Sequence, residues 1–370
     1  MPQSLEVLIV GAGVAGLAAA VALEQCGHAV DIIERRSENP SGAGLFLPGN
    51  SVRALTALGV RDRLAEFGVP IHHQQLRDHR GRVLADIDTT ALWRDNGHCL
   101  GITHGRLHSI LRENLRVPVR TGISVDSVAE TSDRVQVEFN DGGSGRYDVV
   151  IGADGIRSNL RRRVNPDAEA QYVGQICWRF LTANNAGIDR WTVWLGRGTT
   201  FLAVPMGENR LYCYADASTD LPANPVEGAT LLTERFSDFD SRVRELLATP
   251  EAQQAHYSTI EEVTDPTWRT DRIVLVGDAA HASSPNMAQG VAMAVEDALV
   301  LAESLSGAGD IADLLERYRI RRLPRTRWMQ ARTHRRDRTR SLAPAIRNTV
   351  LRLAANRMYE ADYAPLRDAP

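Results

Sequence analysis

The chain has 370 residues, of which 43% are hydrophobic and 24% are charged, and its formal net charge is −3. This composition is ordinary for a globular protein, and the length allows two domains or one domain with an insertion. The small net charge excludes a strong general attraction to nucleic acid or to a membrane surface. No apolar run approaches the roughly 18 residues of a membrane span.

The first strand is predicted so close to Met1 that we expect no signal peptide, and therefore a cytoplasmic protein. The cysteines Cys26, Cys99, Cys177 and Cys213 are far apart in sequence. Their spacing predicts neither a redox disulfide nor a metal site, and we expect buried positions for them.

The first predicted unit is a strand, a glycine turn and a helix. Residues 7–10 form a continuous apolar run, as in a parallel strand buried on both faces, and residues 17–26 have a helical pattern. Between them lie Gly11, Gly13 and Gly16. In this spacing the first glycine permits a tight turn, the second lets a pyrophosphate approach the backbone, and the third lets helix and strand pack closely.

The next strand, residues 29–33, ends at Glu34, about 20 residues after the glycines, where a carboxylate can hold a ribose hydroxyl. Unpaired N–H groups at the start of the preceding helix favour a pyrophosphate. Strand, turn, helix, strand and acid in this order predict a dinucleotide-binding unit. A glycine turn that only packs an α/β unit stays open as the alternative.

The middle of the chain is predicted to alternate between helices and strands. The elements are, in order, a loop at residues 39–50, an interrupted helix at 51–67, a hairpin at 71–87, a helix at 105–115 and strands at 125–129, 135–139 and 147–151. The last strand leads into Asp154, between Gly152 and Gly155. A carboxylate at a strand exit can contact a ligand or cap the helix predicted from Arg157, and the two roles can coexist.

The pattern then changes to strands without intervening helices, which predicts an antiparallel sheet. These strands are residues 176–183, 191–195, 200–205 and 211–215. Pro222 and Pro225 indicate a loop, and residues 229–247 predict a helix. Together with the earlier hairpin, these elements predict a second domain inserted into the first.

The chain is predicted to return to the first domain at residues 272–276, a buried strand that ends in Gly277-Asp278. A loop over residues 279–289 follows, and Gly290 begins a long helix that carries Glu296 and Asp297. The arginine-rich residues 317–340 have a helical pattern, for which we expect a solvated face.

Three of these segments together make the sequence resemble the FAD-dependent aromatic hydroxylases, the single-component flavoprotein monooxygenases of the p-hydroxybenzoate hydroxylase type. The segments are the glycine turn with Glu34-Arg35, the run Gly-Ala-Asp-Gly-Ile-Arg-Ser around Asp154, and Gly277-Asp278-Ala279-Ala280-His281 followed by Pro285 and Gln289-Gly290. The resemblance implies an α/β fold with a Rossmann-like FAD-binding domain, an inserted antiparallel-sheet substrate domain and C-terminal helices.

By the same resemblance, residues 1–70, 101–170 and 271–340 form the FAD-binding domain. Residues 71–100 and 171–270 form the substrate domain, and residues 341–370 form a C-terminal helical tail.

The resemblance also implies which residues contact FAD. They are Gly11, Gly13, Val14 and Gly16 with Glu34 and Arg35 at the adenosine half, Val125 near the adenine, Arg106 at the pyrophosphate or ribityl region, Asp278 at the ribityl chain, Asp154 at the flavin and the nicotinamide path, and Pro285 near the flavin C4a. Reduced flavin is an anion, and the chain contains no lysine. We therefore expect the helix N-terminus at Gly290, Val291 and Ala292 to face that charge.

Substrate contacts are expected from the predicted antiparallel sheet, whose aromatic residues suit a flat ligand. The candidates are Trp178, Arg179, Trp194, Phe201, Tyr212 and Tyr214. Strand alternation puts Tyr212 and Tyr214 on one face and Cys213 on the other. Several phenol hydroxylases of the family that the chain resembles carry a histidine or tyrosine near the strand that corresponds to residues 201–205, which contain no histidine here. Two alternatives stay open: Tyr212 or Tyr214 is the catalytic group, or the substrate needs no such base.

The expected reaction is reduction of FAD by NADH or NADPH, formation of a C4a-hydroperoxyflavin with O2, and transfer of one oxygen to an aromatic or heteroaromatic ring. Two alternatives stay open. One is an epoxidase or another oxygenase that acts on a non-phenolic natural product, and the other is a flavin-binding protein without turnover. The expected partners are a small aromatic substrate and O2, with no nucleic acid and no metal, in a monomer or a homodimer.

Overall fold

The computed structural model describes residues 4–37, 44–94, 96–220, 228–340 and 342–370. Residues 39–43 of the first predicted loop and the loop at Pro222 and Pro225 lie outside these ranges. None of the helices described is both long and apolar enough to cross a lipid bilayer.

The strands of the described ranges are β1 (Glu6–Val10), β2 (Ala29–Glu34), β3 (Gly44–Leu47), β4 (Val69–Pro70), β5 (His73–Asp78), β6 (Val83–Asp88), β7 (Leu100–Thr103), β8 (Val119–Thr121), β9 (Val125–Glu130), β10 (Val135–Phe139), β11 (Ser144–Tyr147), β12 (Val149–Gly152), β13 (Gln171–Ala183), β14 (Trp191–Leu195), β15 (Thr199–Pro205), β16 (Arg210–Ser218), β17 (His256–Glu262) and β18 (Ile273–Leu275).

The helices of the same ranges are α1 (Val14–Gln25), α2 (Gly49–Ala57), α3 (Arg61–Phe67), α4 (Thr89–Trp93), α5 (His104–Glu113), α6 (Asn159–Val164), α7 (Gly228–Arg235), α8 (Ser241–Leu247), α9 (Pro250–Gln253), α10 (Asp278–His281), α11 (Gly290–Leu305), α12 (Ile311–Thr339) and α13 (Pro344–Tyr363).

A five-stranded parallel sheet, in the order β18-β12-β1-β2-β8, forms the first layer. Its central strand is buried on both faces, which is why the sequence of β1 is a continuous apolar run without alternation. Helix α1 is buried along most of its length and packs against α11. This parallel sheet and its helices contain the largest apolar core of the described residues, and the predicted α/β fold class is confirmed.

A seven-stranded sheet, in the order β17-β13-β16-β15-β14-β5-β6, forms the second layer and is called the large sheet below. Strand β5 pairs in parallel with β14, with Gln74 opposite Trp191, so the hairpin of β5 and β6 extends the later meander. Helices α7 to α9 cover one face of the large sheet. The other face looks toward the parallel sheet.

Several local predictions differ from the structure, including the loop predicted at residues 39–50, which contains β3 and the start of α2. The single helix predicted at residues 229–247 is two helices, because Asp240 caps α8 by accepting from the backbone N–H of Arg242. Tyr147 belongs to β11, which pairs with β10, and the parallel strand starts only at Val149. Strand β17 was not predicted, because its sequence is polar and only Ile260 in it is buried.

The arginine-rich helix α12 has a solvated face, as predicted for residues 317–340, but one of its arginines lies on the buried side. Arg322 is 0% exposed; its guanidinium contacts Glu296 at 2.8 Å and Asp297 at 2.7 Å. Three of the free cysteines are buried as expected, whereas Cys26 is exposed.

Candidate functional site

A cavity of about 1940 Å³ lies between the carboxyl ends of the parallel strands and the inner face of the large sheet. Pockets for one small ligand usually have roughly 300–1,000 Å³, so this cavity can hold a large cofactor and a substrate together. The glycine turn after β1, the loop after β12 and the segment between β18 and α11 all line it. These are the three segments that carry the family resemblance.

The glycine turn is shaped by close backbone contacts. Gly11 has φ +105°, and a Cβ there would overlap the carbonyl of Ala153; a Cβ on Gly16 would overlap the carbonyl of Gly11. At Gly13, by contrast, a Cβ would meet no atom within 4 Å. The first and third glycines therefore serve packing, while the second leaves its backbone open to the cavity, with Val14 beside it.

The carboxylate of Glu34, at the end of β2, is held by backbone groups of the glycine turn and of the residues that follow it. Its carboxylate accepts from the N–H of Ala12 at 2.9 Å and from that of Arg36 at 3.0 Å. Glu34, Arg35 and Val125 line one end of the cavity. The structure thus brings these three predicted residues together.

Asp154 caps the helix, which is one of the two roles considered for it, and leaves one oxygen for the other. One carboxylate oxygen, Oδ2, accepts from the backbone N–H groups of Asn159 and Leu160, at 2.8 and 3.3 Å, at the start of α6. The other, Oδ1, is buried and has no hydrogen-bond partner among the described residues. Because Asp154 lines the cavity, this oxygen is available to a ligand.

Asp278 starts α10, and its exposed side chain lines the cavity. Burial of the Asp278 carboxyl inside this cavity raises its pKa, although the nearby charges of His281 and Arg179 act to lower it. The loop is held from below by Asp297, which accepts from the N–H of Gly277 at 2.9 Å and contacts Nε2 of His281 at 2.6 Å. His281 therefore shapes the loop.

The segment before α11 turns the N-terminus of that helix toward the cavity. Pro285 begins a single 3₁₀ turn, and Ala288 after it is left-handed, with φ +50°. Gln289 then exchanges two side-chain hydrogen bonds with Asn50. A Cβ on Gly290 would meet nothing within 4 Å, so its backbone is open to the cavity.

Pro285, Gly290 and Val291 line the cavity, whereas Ala292 lies buried beneath them. The prediction for Gly290, Val291 and Ala292 concerns their backbone N–H groups at the start of α11, and the burial of the Ala292 side chain leaves it a prediction.

The structure does not bring Arg106 to the cavity. Its guanidinium is exposed and stacks on the ring of Phe67, 4.2 Å from the centroid. Helix periodicity instead turns His104, His108 and Arg112 of α5 to the cavity. These residues were not predicted, and their spacing of four was the available signal.

His108 is fixed by its contact with the glycine turn. Its Nε2 lies 2.8 Å from the carbonyl oxygen of Ala12, and its Nδ1 is buried without a partner among the described residues. Burial lowers the pKa of His108. A neutral His108 that donates from Nε2 leaves Nδ1 as an acceptor at the cavity.

Three of the predicted substrate residues lie on the face of the large sheet that is covered by helices, and not on the face that lines the cavity. Trp178, Phe201 and Trp194 form one cross-strand row with Ala215 and pack against the covering helices, for example around Phe236. All three are fully buried there. Because side chains alternate along a strand, the neighbouring row, and not this one, faces the cavity.

The neighbouring row contains Arg179, Tyr214, Leu202 and Val193, and all four residues line the cavity. Tyr212 and Trp191 lie on the same face, and Cys213 lies on the other. The prediction that Tyr212 and Tyr214 lie on one face of the strand and Cys213 on the other therefore agrees with the structure. Trp191 and Val193 were missed because only the register between strands shows which residues of β14 face inward.

The two tyrosines are buried polar groups at the inner wall. Burial raises the pKa of Tyr212 and of Tyr214, although the nearby Arg179 opposes the rise. Arg179 also hydrogen-bonds Tyr212, while the hydroxyl of Tyr214 has no partner among the described residues. A Cβ on Gly44 would overlap Tyr212, so the start of β3 packs directly on this side chain. At neutral pH both phenols are protonated and can donate hydrogen bonds.

Comparison with known proteins agrees with this geometry. Residues 4–333 match the family model described as an FAD binding domain. The chain is 32% identical to 2-heptyl-3-hydroxy-4(1H)-quinolone synthase of Pseudomonas aeruginosa, over 95% of each chain. It is 30% identical to FAD-dependent urate hydroxylase of Klebsiella oxytoca, over 87% of each.

Among solved structures, Klebsiella pneumoniae HpxO complexed with FAD and uric acid superimposes with a TM-score of 0.89 and 26% identity, over 99% of this chain and 98% of the other. The family match spans all three cavity-lining segments. The chain therefore belongs to the FAD-dependent aromatic hydroxylases and is an FAD-dependent monooxygenase.

Proposed function

We propose that FAD lies along the wall formed by the three segments and that a flat aromatic or heteroaromatic ring is hydroxylated between it and the large sheet. The observation that carries this proposal is the convergence of the three segments on one cavity whose opposite wall is the mainly apolar inner face of the large sheet. The names of the relatives, which refer to a quinolone and to urate, support a flat nitrogen heterocycle as the substrate.

The residues of this wall fit FAD. Gly13 and Gly290 leave open space where a diphosphate and a flat ring would approach the backbone, and Oδ1 of Asp154 and Nδ1 of His108 are buried polar atoms without a protein partner among the described residues. We assign the adenosine half to the end with Glu34, Arg35 and Val125, and the ribityl chain to Asp278.

When bound, FAD accepts a hydride from NADH or NADPH and delivers one oxygen atom of O2 to the substrate. The N-terminus of α11 supplies backbone N–H groups and a partial positive charge to the ring as it becomes negative. Pro285 limits the space beside the ring, and the apolar wall excludes water from the reacting atoms.

Substrate orientation is assigned to the inner row of the large sheet. Arg179 and the protonated Tyr212 and Tyr214 can donate to an oxygen of the substrate, and Trp191 and Leu202 pack on the ring. The raised pKa of both tyrosines disfavours them as bases. They position the ring.

The pairing of β5 with β14 supports the proposed substrate domain of residues 71–100 and 171–270. The remaining FAD-binding segments are residues 1–70, 101–170 and 271–340. We also propose that the enzyme works in the cytoplasm, where a nicotinamide co-substrate is regenerated.

The test uses the purified protein. Bound flavin is expected from its absorption spectrum, and a panel of hydroxylated pyridines, quinolones, purines and benzoates is screened for stimulated NAD(P)H oxidation. A true substrate gives one hydroxylated product for each NAD(P)H and O2 consumed. A flavin-loaded protein that oxidises NAD(P)H in response to no aromatic compound would refute the proposal.

A further inference from the structure

Part of the cavity extends away from the three segments, between the large sheet and helix α13. We call it the tail slot; it is lined by Leu76, Leu195 and Leu202 of the sheet and by Leu351, Ala355 and Met358 of α13. The leucines are only partly buried although they pack on the apolar core of this region, so part of each side chain faces the slot.

The position of α13 along the sheet is fixed at both ends. Near its start, the guanidinium of Arg347 donates to the backbone carbonyl of Leu195 at 3.0 Å and to that of Gly196. Near its end, the hydroxyl of Tyr359 accepts from Nε1 of Trp93 at 3.1 Å. Helix α13 lies beyond residue 333, where the match to the family model ends.

Three arginines beside the slot have partners of their own. Arg340 pairs with Asp216 at 3.0 Å, Arg336 donates to the hydroxyl of Tyr363 at 3.2 Å, and Arg347 is held by backbone carbonyls. Their methylene stems can add to an apolar wall while the charged heads are bound elsewhere. The slot therefore favours an uncharged apolar group.

The outer end of the slot is also apolar. Val350 and Met358 line the cavity and are 43% and 37% exposed, so they stand where the cavity reaches the surface. Leu351 and Met358 are seven residues apart, which is about 10 Å along the helix. A small ring alone would leave this length of apolar wall facing water, which is unfavourable.

We propose that the ring hydroxylated by this enzyme carries a hydrocarbon chain of several carbons, which lies in the tail slot with its end toward Val350 and Met358. This inference rests on the proposed function, because the ring must lie at the flavin. It narrows the substrate class to alkyl-substituted aromatic or heteroaromatic compounds.

The experiment uses the FAD-loaded enzyme and two probe series, 2-alkyl-4(1H)-quinolones and 4-alkylphenols with chains of one, three, five and seven carbons. Binding is followed by calorimetry and by the change in flavin absorbance, and turnover by NAD(P)H oxidation. We expect the dissociation constant to fall by up to about fourfold per added methylene, the equivalent of about 0.8 kcal/mol, until the slot is filled.

Substitutions on α13 test whether the hydrocarbon chain binds in the tail slot. Leu351→Trp and, separately, Val350→Trp fill the slot and are expected to remove the gain from long chains while the one-carbon probes bind as before. Leu353→Trp is the matched control, because Leu353 lies on the same helix and is 81% exposed. It should keep the full dependence on chain length.

Affinity that does not rise with chain length, or no binding of any member of either series, would overturn the tail-slot proposal. So would an equal loss in the Leu353→Trp control. The proposed function is tested separately, because short aromatic substrates that are hydroxylated would leave it intact. A flavin-loaded enzyme without any aromatic-stimulated NAD(P)H oxidation would overturn both.

Discussion

The two sheets that face each other across the cavity are built on different principles. In the parallel sheet the proposed cofactor wall is made mostly of backbone, with glycines that leave space and with helix N-termini, together with a few carboxylates that follow strands. In the large sheet the wall is made of side chains, and one residue of register decides whether a tryptophan faces the substrate or the helices behind it. Consequently, the residues that face the cavity can be predicted from the local sequence in the parallel sheet but not in the large sheet.

The largest effect is expected from a substitution in the glycine turn, which should remove FAD binding. Gly13→Val places a branched side chain in the open space next to the turn, where nothing lies within 4 Å of a Cβ. The fold should persist, because no protein atom is displaced, while FAD is lost. Absorbance at the flavin maximum and circular dichroism measure the two effects; Gly13→Ala should be intermediate. Full flavin content in the valine variant would contradict the assignment of this turn.

The second effect compares the two faces of the large sheet. Trp178→Ala opens a hole among the covering helices and should cost about 3–5 kcal/mol of unfolding free energy. Trp191→Ala, on the cavity face, should mainly raise KM for the aromatic substrate. Chemical denaturation and steady-state kinetics distinguish them. Equal effects of both variants on KM would contradict the assignment of faces.

A smaller effect is expected at Asp278. Asp278→Ala removes a carboxyl that faces the cavity, and loss of a hydrogen bond to a charged group, about 1.5–3 kcal/mol, predicts FAD binding weaker by roughly 10- to 150-fold. Fluorescence titration of the apoprotein with FAD measures it. Asp271→Ala, on the exposed turn before β18, is the control. Unchanged affinity in Asp278→Ala would exclude the ribityl contact.

The smallest effect concerns acid stability. Burial alone would raise the pKa of Asp297, but His281 and Arg322 hold it below its usual value. A lowered pKa stabilises the fold above the unfolded value of about 3.9 and loses this contribution as the pH falls through the folded value. Melting temperatures of the wild type should therefore drop below about pH 4. Asp297→Asn should be less stable at pH 7 and lose less between pH 7 and pH 3, with the exposed Asp133→Asn as control.

The sequence allowed the fold class and the convergence of the three segments to be predicted, because the motif residues lie at short, regular spacings, as where Gly16 packs on the carbonyl of Gly11 five residues earlier. It did not allow the cavity face of β14 or of α5 to be predicted. Trp194 and Arg106 were the chemically attractive residues, yet Val193 and His104 face inward, since packing of the whole element decides its rotation.

Arg322, in the C-terminal part of the chain, also has a role that its local sequence did not predict. It neutralises two carboxylates on α11, and one of them, Asp297, ties down the backbone of Gly277 and the ring of His281. A protein shortened to end ahead of α12 would keep the three motif segments but would lose Arg322 and Arg325, which pair with the buried Glu296 and Asp297. The loop that we propose to hold FAD is thus anchored by a residue that lies in none of the three motif segments, and α12 supports the proposed cofactor site.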